Sequence, residues 1–471
     1  MKQFSPTRLS VLIGMAFAAS MGHADAPSPP LAEQAAGIPE SDTVASQTLV
    51  PKRDAASPQD REAAALLTDG PGIAAGGFLL FPELTLKQTY DSNIFALPAT
   101  TISDWVTTPS ASLTGRSNWV THKLGFDVGI DADRYNNYSS QNVYDYWLGA
   151  DGRYDLSPGN NLFGGLRFSR NHEDRGTANP ELSVDPIVYY STNAHLGAAF
   201  RTGPIVVRVG ASAEDLDYLS PSGLAAPGAK NQDDRDQLQY SFGGRVGYEV
   251  NSSFMPFLQV ASDTRSYKES VDDYGYQRSS NGYRASVGAS YKLSPVFTGE
   301  AFFGTLSQNY DDPRFGDVSK PYFGANLTWN PSLTTRLRAL VDRSLDETTI
   351  PGASSYLDTT LAIDAEHAIS PNVVANARFS YSWNEYQGIS RSDKISDASA
   401  GFRYYIDPVV FVGAEGRVVN RDSNQLDSSR NCPIRVIDLL RQHVSPPNDS
   451  RDGLWCSVSR PSGSGMEPLH Q

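Results

Sequence analysis

Residues 238–260 read LQYSFGGRVGYEVNSSFMPFLQV. Leu238, Tyr240, Phe242, Val246, Tyr248 and Val250 fall on every second position, with Gln239, Ser241, Gly243, Arg245, Gly247 and Glu249 between them. Period two marks a strand with one apolar and one polar face. Asn251-Ser252-Ser253 breaks the strand, and a second runs from Phe254 to about Ala261. The strip exceeds the roughly 5–6 residues of an ordinary soluble strand and matches the ~9–11 tilted residues that cross a bilayer. The stretch predicts a transmembrane β-hairpin.

The same plan recurs from Phe78 onward. Leu124, Phe126, Val128 and Ile130 alternate, as do Tyr144, Tyr146, Leu148 and Ala150, then Tyr283, Ala285, Val287 and Ala289, and later Val373, Ala375, Ala377, Phe379, Tyr381 and Trp383. About seventeen such strands can be read between Phe78 and Asp422 from this periodicity. Their connections alternate in length. One set is short and turn-like, as at Leu156-Ser157-Pro158-Gly159, Thr202-Gly203-Pro204, Asn330-Pro331 and Ile369-Ser370-Pro371. The other set is long and polar, as at 171–186, 215–236, 263–281 and 342–355. Short turns on one rim and long loops on the other describe a bacterial outer-membrane barrel with its short side in the periplasm.

The charges obey the same geometry. Arg153, Arg167, Arg201, Arg208, Arg245, Arg284, Arg336, Arg338, Arg378, Arg403 and Arg417 all take the parity opposite the apolar residues. Glu249, Glu300, Asp358, Asp364, Glu366 and Glu415 share that parity. An Arg facing lipid at the midplane costs about 2–4 kcal/mol, so a bilayer enforces this segregation. These residues are the candidate pore lining. They support two readings. In one, a mixed lining sets a field across a water-filled pore, its arginines recognise carboxylates or sulfates of a sugar polymer, and inward aromatics such as Trp147 stack on sugar rings. In the other, opposite charges pair across the lumen, rigidify the barrel and plug it.

Composition narrows the class. Hydrophobic residues make up 39% of the chain, below the usual globular share of about 45–50%, so a conventional buried core is poorly supplied. The net charge of −14 argues against a nucleic-acid partner. Cys432 and Cys456 are the only cysteines and provide neither a metal cluster nor a disulfide framework. The histidines His122, His172, His195 and His367 are scattered. Asp272-Asp273 and Asp311-Asp312 could bind a cation, but as single acidic pairs in long loops they read as solvated surface, and Asp233-Asp234-Arg235-Asp236 lacks an ordered Ca²⁺-loop pattern with a terminal Glu. Neither catalytic residues, a metal nor a cofactor is predicted.

At the N-terminus, Lys2 and Arg8 precede an apolar run from Leu9 to about Ala19, and Gly22-His23-Ala24 or Ala24-Asp25-Ala26 supplies small residues where a signal peptidase cuts. Residues 1–24 read as a signal peptide and 25–76 as a disordered periplasmic leader. At the other end, alternation stops near Asn431, where Cys432, Pro433, Pro446 and Pro447 enter. Bacterial single-chain barrels have an even strand number, so a last strand is expected near residues 430–445. Residues 431–471 read instead as an irregular tail: out of frame, divergent, or an extension beyond a miscounted barrel.

Phe78-Leu79-Leu80-Phe81-Pro82-Glu83-Leu84 with Tyr90-Asp91-Ser92-Asn93-Ile94-Phe95 resembles the opening strand of the putative β-barrel porin 2 family. Gly299-Glu300-Ala301-Phe302-Phe303-Gly304 and Arg343-Ser344-Leu345-Asp346-Glu347-Thr348 resemble its mid-barrel segments. The resemblance implies an outer-membrane protein of a family in which some members are linked with exopolysaccharide production and export. It implies no catalytic residues.

The sequence therefore predicts an all-β chain: one antiparallel outer-membrane barrel of about 18 strands over residues 77–430. The expected function is a porin-like channel for exopolysaccharide export or diffusion of polar solutes. The expected partners are outer-membrane lipid, an anionic exopolysaccharide and periplasmic export machinery, with no nucleic acid. The alternative is a non-conducting structural or adhesive barrel that binds through its long loops.

Overall fold

The computed structural model describes residues 72–97, 101–175, 185–220, 232–294, 296–407, 409–424 and 432–438. The signal-peptide reading lies outside these residues, as do most of the leader and the tail beyond Asp438. The strands are β1 (Ile73–Ala75), β2 (Phe78–Asp91), β3 (Asp104–Ser117), β4 (Lys123–Tyr135), β5 (Val143–Ser157) and β6 (Asn160–His172). They continue as β7 (Val188–Thr202), β8 (Ile205–Leu219), β9 (Gln237–Tyr248), β10 (Phe254–Tyr267), β11 (Ser280–Ser294), β12 (Phe297–Tyr310) and β13 (Val318–Ser332). The last are β14 (Thr335–Glu347), β15 (Ser355–Ser370), β16 (Val373–Gln387), β17 (Ser392–Tyr405), β18 (Phe411–Ser423) and β19 (Cys432–Asp438). From β2 on, each strand pairs antiparallel with the next, as a string of hairpins must.

Two details correct the sequence reading. The leader does not run to residue 76, because Gly76 takes φ +60° and folds Ile73–Ala75 back onto Phe78–Leu80 as β1. The last position, left empty by the alternation, is taken by β19. Its pattern is not that of the other strands, which is why alternation misses it. β19 pairs with β18 over Arg421–Glu415 and with β2 over Asp91–Thr89. The ring of pairings thereby returns to β2, and the join lies at the long-loop end. Below it, Phe81–Gln88 of β2 have no ladder partner on that edge among the described residues.

Burial separates the two faces. Leu148, Phe242, Val287, Leu258 and Phe303 are more than half exposed on the outer face. So continuous an apolar exterior is not kept in water; it faces hydrocarbon, and the ladders satisfy the backbone there. On β10 the opposite parity, from Met255 through Phe257, Gln259, Ala261, Asp263 and Arg265 to Tyr267, is buried throughout. These inward side chains are packed against protein. Trp147 on β5 lies over Gly129 of β4, where a Cβ would come within 2.2 Å of its ring. It is therefore buried against the wall rather than presented to a passing sugar.

The pairing of β13 with β14 stops at Gly324↔Asp342. Beyond that point β13 continues on β12 as far as Val318, and β14 continues on β15 as far as Glu347↔Ser355. The two strands fork. The tip of the β14–β15 hairpin leaves the wall and packs on the inner surface of its neighbours, where Leu345 and Leu357 join Leu306, Val318 and Tyr322 in one apolar cluster. Leu357 is fully buried.

Candidate functional site

The fork places a hairpin inside the mouth of the barrel, and buried arginines hold it there. Arg265 projects inward from β10, on the far side of β11–β13. Its Nη1 donates to Glu347 at the end of β14, its Nη2 donates to the Leu345 carbonyl at 3.1 Å, and its Nε lies 3.3 Å from Asp263 Oδ2. Tyr267 donates its hydroxyl to Glu347 Oε2 at 3.3 Å. Arg278, in the connection between β10 and β11, donates Nε to Asp272 Oδ2 at 2.6 Å and Nη1 to the carbonyls of Ala353, at 2.9 Å, and Thr348. Arg265 is only 4% exposed, and the space beside it is a cavity of about 10 Å³, no more than about one water. A second knot stands across β16–β18. There Asp393 accepts from Arg391 at 2.7 Å, from Arg421 at 2.5 Å and from the Tyr386 hydroxyl at 3.2 Å.

The candidate lining residues occupy the inward face, and many are paired. Arg153 lies 3.0 Å from Asp155, Arg167 2.7 Å from Asp127 and Arg201 2.6 Å from Glu249. Arg245 grips Glu300 with both terminal nitrogens at 2.9 Å, reaches Gln259 and covers the Phe257 ring. Arg284 lies 3.1 Å from Asp263, Arg403 2.9 Å from Glu366 and Arg417 2.7 Å from Asp397. Glu415 accepts from Asn376 at 3.1 Å. Asp358 is buried near the hairpin and accepts from Thr360 at 2.7 Å. Arg338 stands opposite Asp364 in the ladder and Arg336 opposite Glu366, while Arg208 faces Arg245.

The pairs differ in solvation. Arg378, 3.3 Å from Asp364, keeps 48% of its side chain exposed, and Arg417 keeps 45%. Both are on the inner face of the β14–β18 wall. Against β8–β13, Arg245 and Arg284 are largely covered. The inner face is thus exposed and mixed in charge over β14–β18, packed over the adjoining β8–β13, and narrowed at the long-loop end by the hairpin.

Arg265, Arg278, Arg391 and Arg421 were not among the residues singled out from sequence. Parity places Arg265 inward, so that signal exists. The fork that buries it is a missing set of hydrogen bonds between β13 and β14, which no residue pattern announces.

The connection before β9 contributes a pH-sensitive element. Burial, reinforced by Asp273, pushes the Asp234 carboxyl up from 3.8 to about 6, and burial likewise pushes Asp236 to about 6. A carboxyl raised on folding stabilises the packed segment fully below its ordinary range, and that contribution is lost as pH rises through about 6. Amide exchange over residues 232–236, corrected for intrinsic rate, should be slower at pH 5 than at pH 7, and Asp234→Asn should flatten the difference. Slower exchange at pH 7 would contradict this.

The sequence family described as Putative beta-barrel porin 2 matches residues 68–439, which includes every described strand. The chain belongs to that family. It is a porin-like β-barrel of the bacterial outer membrane. No curated protein matches it. Among solved structures it is similar to the FrpB iron transporter of Neisseria meningitidis (F5-1 variant), with 8% identity and a TM-score of 0.44 over 76% of this chain and 65% of that one. It is also similar to the outer membrane protein opdK of Pseudomonas aeruginosa, with 13% identity and a TM-score of 0.41 over 77% of this chain and 97% of that one. The chain spans less than two thirds of the length of the FrpB structures it matches.

Proposed function

We propose that this porin-family barrel is a narrow channel for small polar solutes. The observation that carries the reading is the asymmetric interior. A solvated wall bearing Arg378 and Arg417 runs beside a packed one, under a hairpin pinned by Arg265 and Arg278. Such a path passes ions and small polar molecules along the charged wall without covalent chemistry. In a salt gradient across a planar bilayer, wild-type protein should give small, discrete openings. The double variant Arg378→Ala/Arg417→Ala leaves Asp364 and Asp397 on that wall without these partners, so its reversal potential should move toward cations, with a several-fold rise in cation preference. An unchanged reversal potential would remove these arginines from the conduction path.

A second reading, passage of an anionic exopolysaccharide, is favoured by the same two arginines. Their half-exposed guanidiniums offer bidentate donors to sugar carboxylates. It requires the β14–β15 tip to swing aside, because a polymer needs a wider mouth. Block of the openings by an acidic polysaccharide, and not by a neutral one of equal length, would support it. A barrel that inserts yet stays silent would transfer the function to the long loops as an adhesive surface.

A further inference from the structure

Above Gly324 the wall divides, and the division lies within lipid. Phe303 of β12 is 63% exposed on the outer face and stands opposite Phe323 of β13. Four residues further toward the long-loop rim, Ser319 stands opposite Ser307, which stands opposite the outward Tyr283 of β11. An outward tyrosine at that level marks the membrane–water girdle. At ~3.3 Å per residue, the fork opens over about 13 Å, from the apolar band up to the girdle. Along it, the β13 edge from Val318 to Phe323 has no ladder partner on the β14 side among the described residues.

Sheet edges are not left open to hydrocarbon; such backbone persists only where protein or water covers it. Two side chains fit the edges to that condition. Pro321, exposed in the middle of the β13 edge, has no N–H to leave unpaired, and proline within a sheet is confined to edges. On the other side, the Leu345 carbonyl of β14 accepts from Arg265 at 3.1 Å. The gap is built into the chain.

Arg343 stands at its apex. It follows Asp342, the last residue of β14 paired to β13, and its guanidinium lies 5.0 Å from the Phe323 ring centre. Its Nε donates to Thr359 at 2.8 Å. It shares the parity of Val341, whose ladder partner Leu361 is exposed to lipid. Leu345 and Leu357, the next residues of that parity on β14 and β15, belong to the apolar cluster that closes the mouth. A cation at this depth, beside rings and an apolar cluster, complements an anionic group on an apolar chain. Head groups of the leaflet stay at the girdle, above Arg343. The charged end of a free amphiphile that enters along the fork reaches it.

We propose that the fork between β13 and β14 is a lateral portal between the lumen and the outer leaflet for single-chain amphiphiles of the long-chain carboxylate class. Arg343 receives the carboxylate through its terminal N–H groups, and Phe303 and Phe323 flank the chain. The β14–β15 tip closes the portal. Packed, its Leu345 and Leu357 seal the fork from the lumen; released, they leave an apolar track behind it. This inference rests on the outer-membrane placement and not on the polar solute that the lumen passes.

The test is photolabelling of the full-length barrel in phospholipid vesicles with palmitic acid carrying a diazirine on its chain, or with the matching alcohol. Labelled peptides are mapped by mass spectrometry, and heat-resistant mobility on gels shows that each variant is folded. With the acid, labelling over residues 318–323 should exceed that of the lipid-facing β5 several-fold. It should fall to the β5 level with the alcohol, and with the acid in Arg343→Ala. Arg265→Ala/Arg278→Ala, which frees the tip, should raise labelling over residues 343–357 several-fold, because the chain then reaches inward. Fork labelling no greater than at β5, or unchanged with the alcohol or in Arg343→Ala, would overturn the site. A hairpin labelled no more in the double variant than in wild type would overturn its role as a passage.

Discussion

Arg265→Ala combined with Arg278→Ala should raise single-channel conductance several-fold over wild type. Both guanidiniums are buried, and both reach from the β10 side of the lumen to the β14–β15 tip. Losing Arg265 leaves Glu347 and Asp263 as neighbouring buried carboxylates without that partner. Breaking a buried pair from one side costs about 3–5 kcal/mol. Losing Arg278 removes donors from the Thr348 and Ala353 carbonyls. The tip then gains more by hydrating than by staying packed on Leu306, Val318 and Tyr322, although its apolar contacts resist. The barrel itself survives, because the β14–β15 ladder is independent of these contacts. A planar-bilayer recording decides the matter. Conductance equal to wild type, with the variant folded, would mean that the hairpin does not limit the path.

Leu148→Arg should destabilise the membrane-embedded barrel by about 2–4 kcal/mol, the midplane cost of a lipid-facing cation. Leu148 is 59% exposed on the outer face of β5. Asn376→Lys on the inner face should change stability far less, since Asn376 sits 3.1 Å from the Glu415 carboxylate and water is at hand. Reversible unfolding in urea from lipid vesicles gives both values. Equal losses for the two would contradict the assignment of faces.

The sequence exposes some of these features and hides others for physical reasons. Alternation at Leu124–Ile130 or Val373–Trp383 is legible because a bilayer penalises each error of parity separately. The same penalty makes the inward set, from Arg153 to Arg417, readable residue by residue. Pairing partners such as Arg245 and Glu300 are another matter. They stand 55 residues apart, on strands brought together only by the ring. β19 was obscure because its seven residues carry Pro433 and little alternation, and its place is set by the free edges of β18 and β2. The fork was obscure for a related reason. Leu345 and Leu357 keep the parity of lipid-facing residues, yet they are buried in the apolar cluster at the mouth.

The most direct measurement is single-channel conductance of the refolded full-length protein in a planar bilayer, read with its reversal potential in a salt gradient. A channel narrowed by the β14–β15 hairpin predicts small, uniform openings that grow when Arg265 and Arg278 are removed. Inserted barrels that never open, in wild type and in that variant alike, would contradict a conducting lumen.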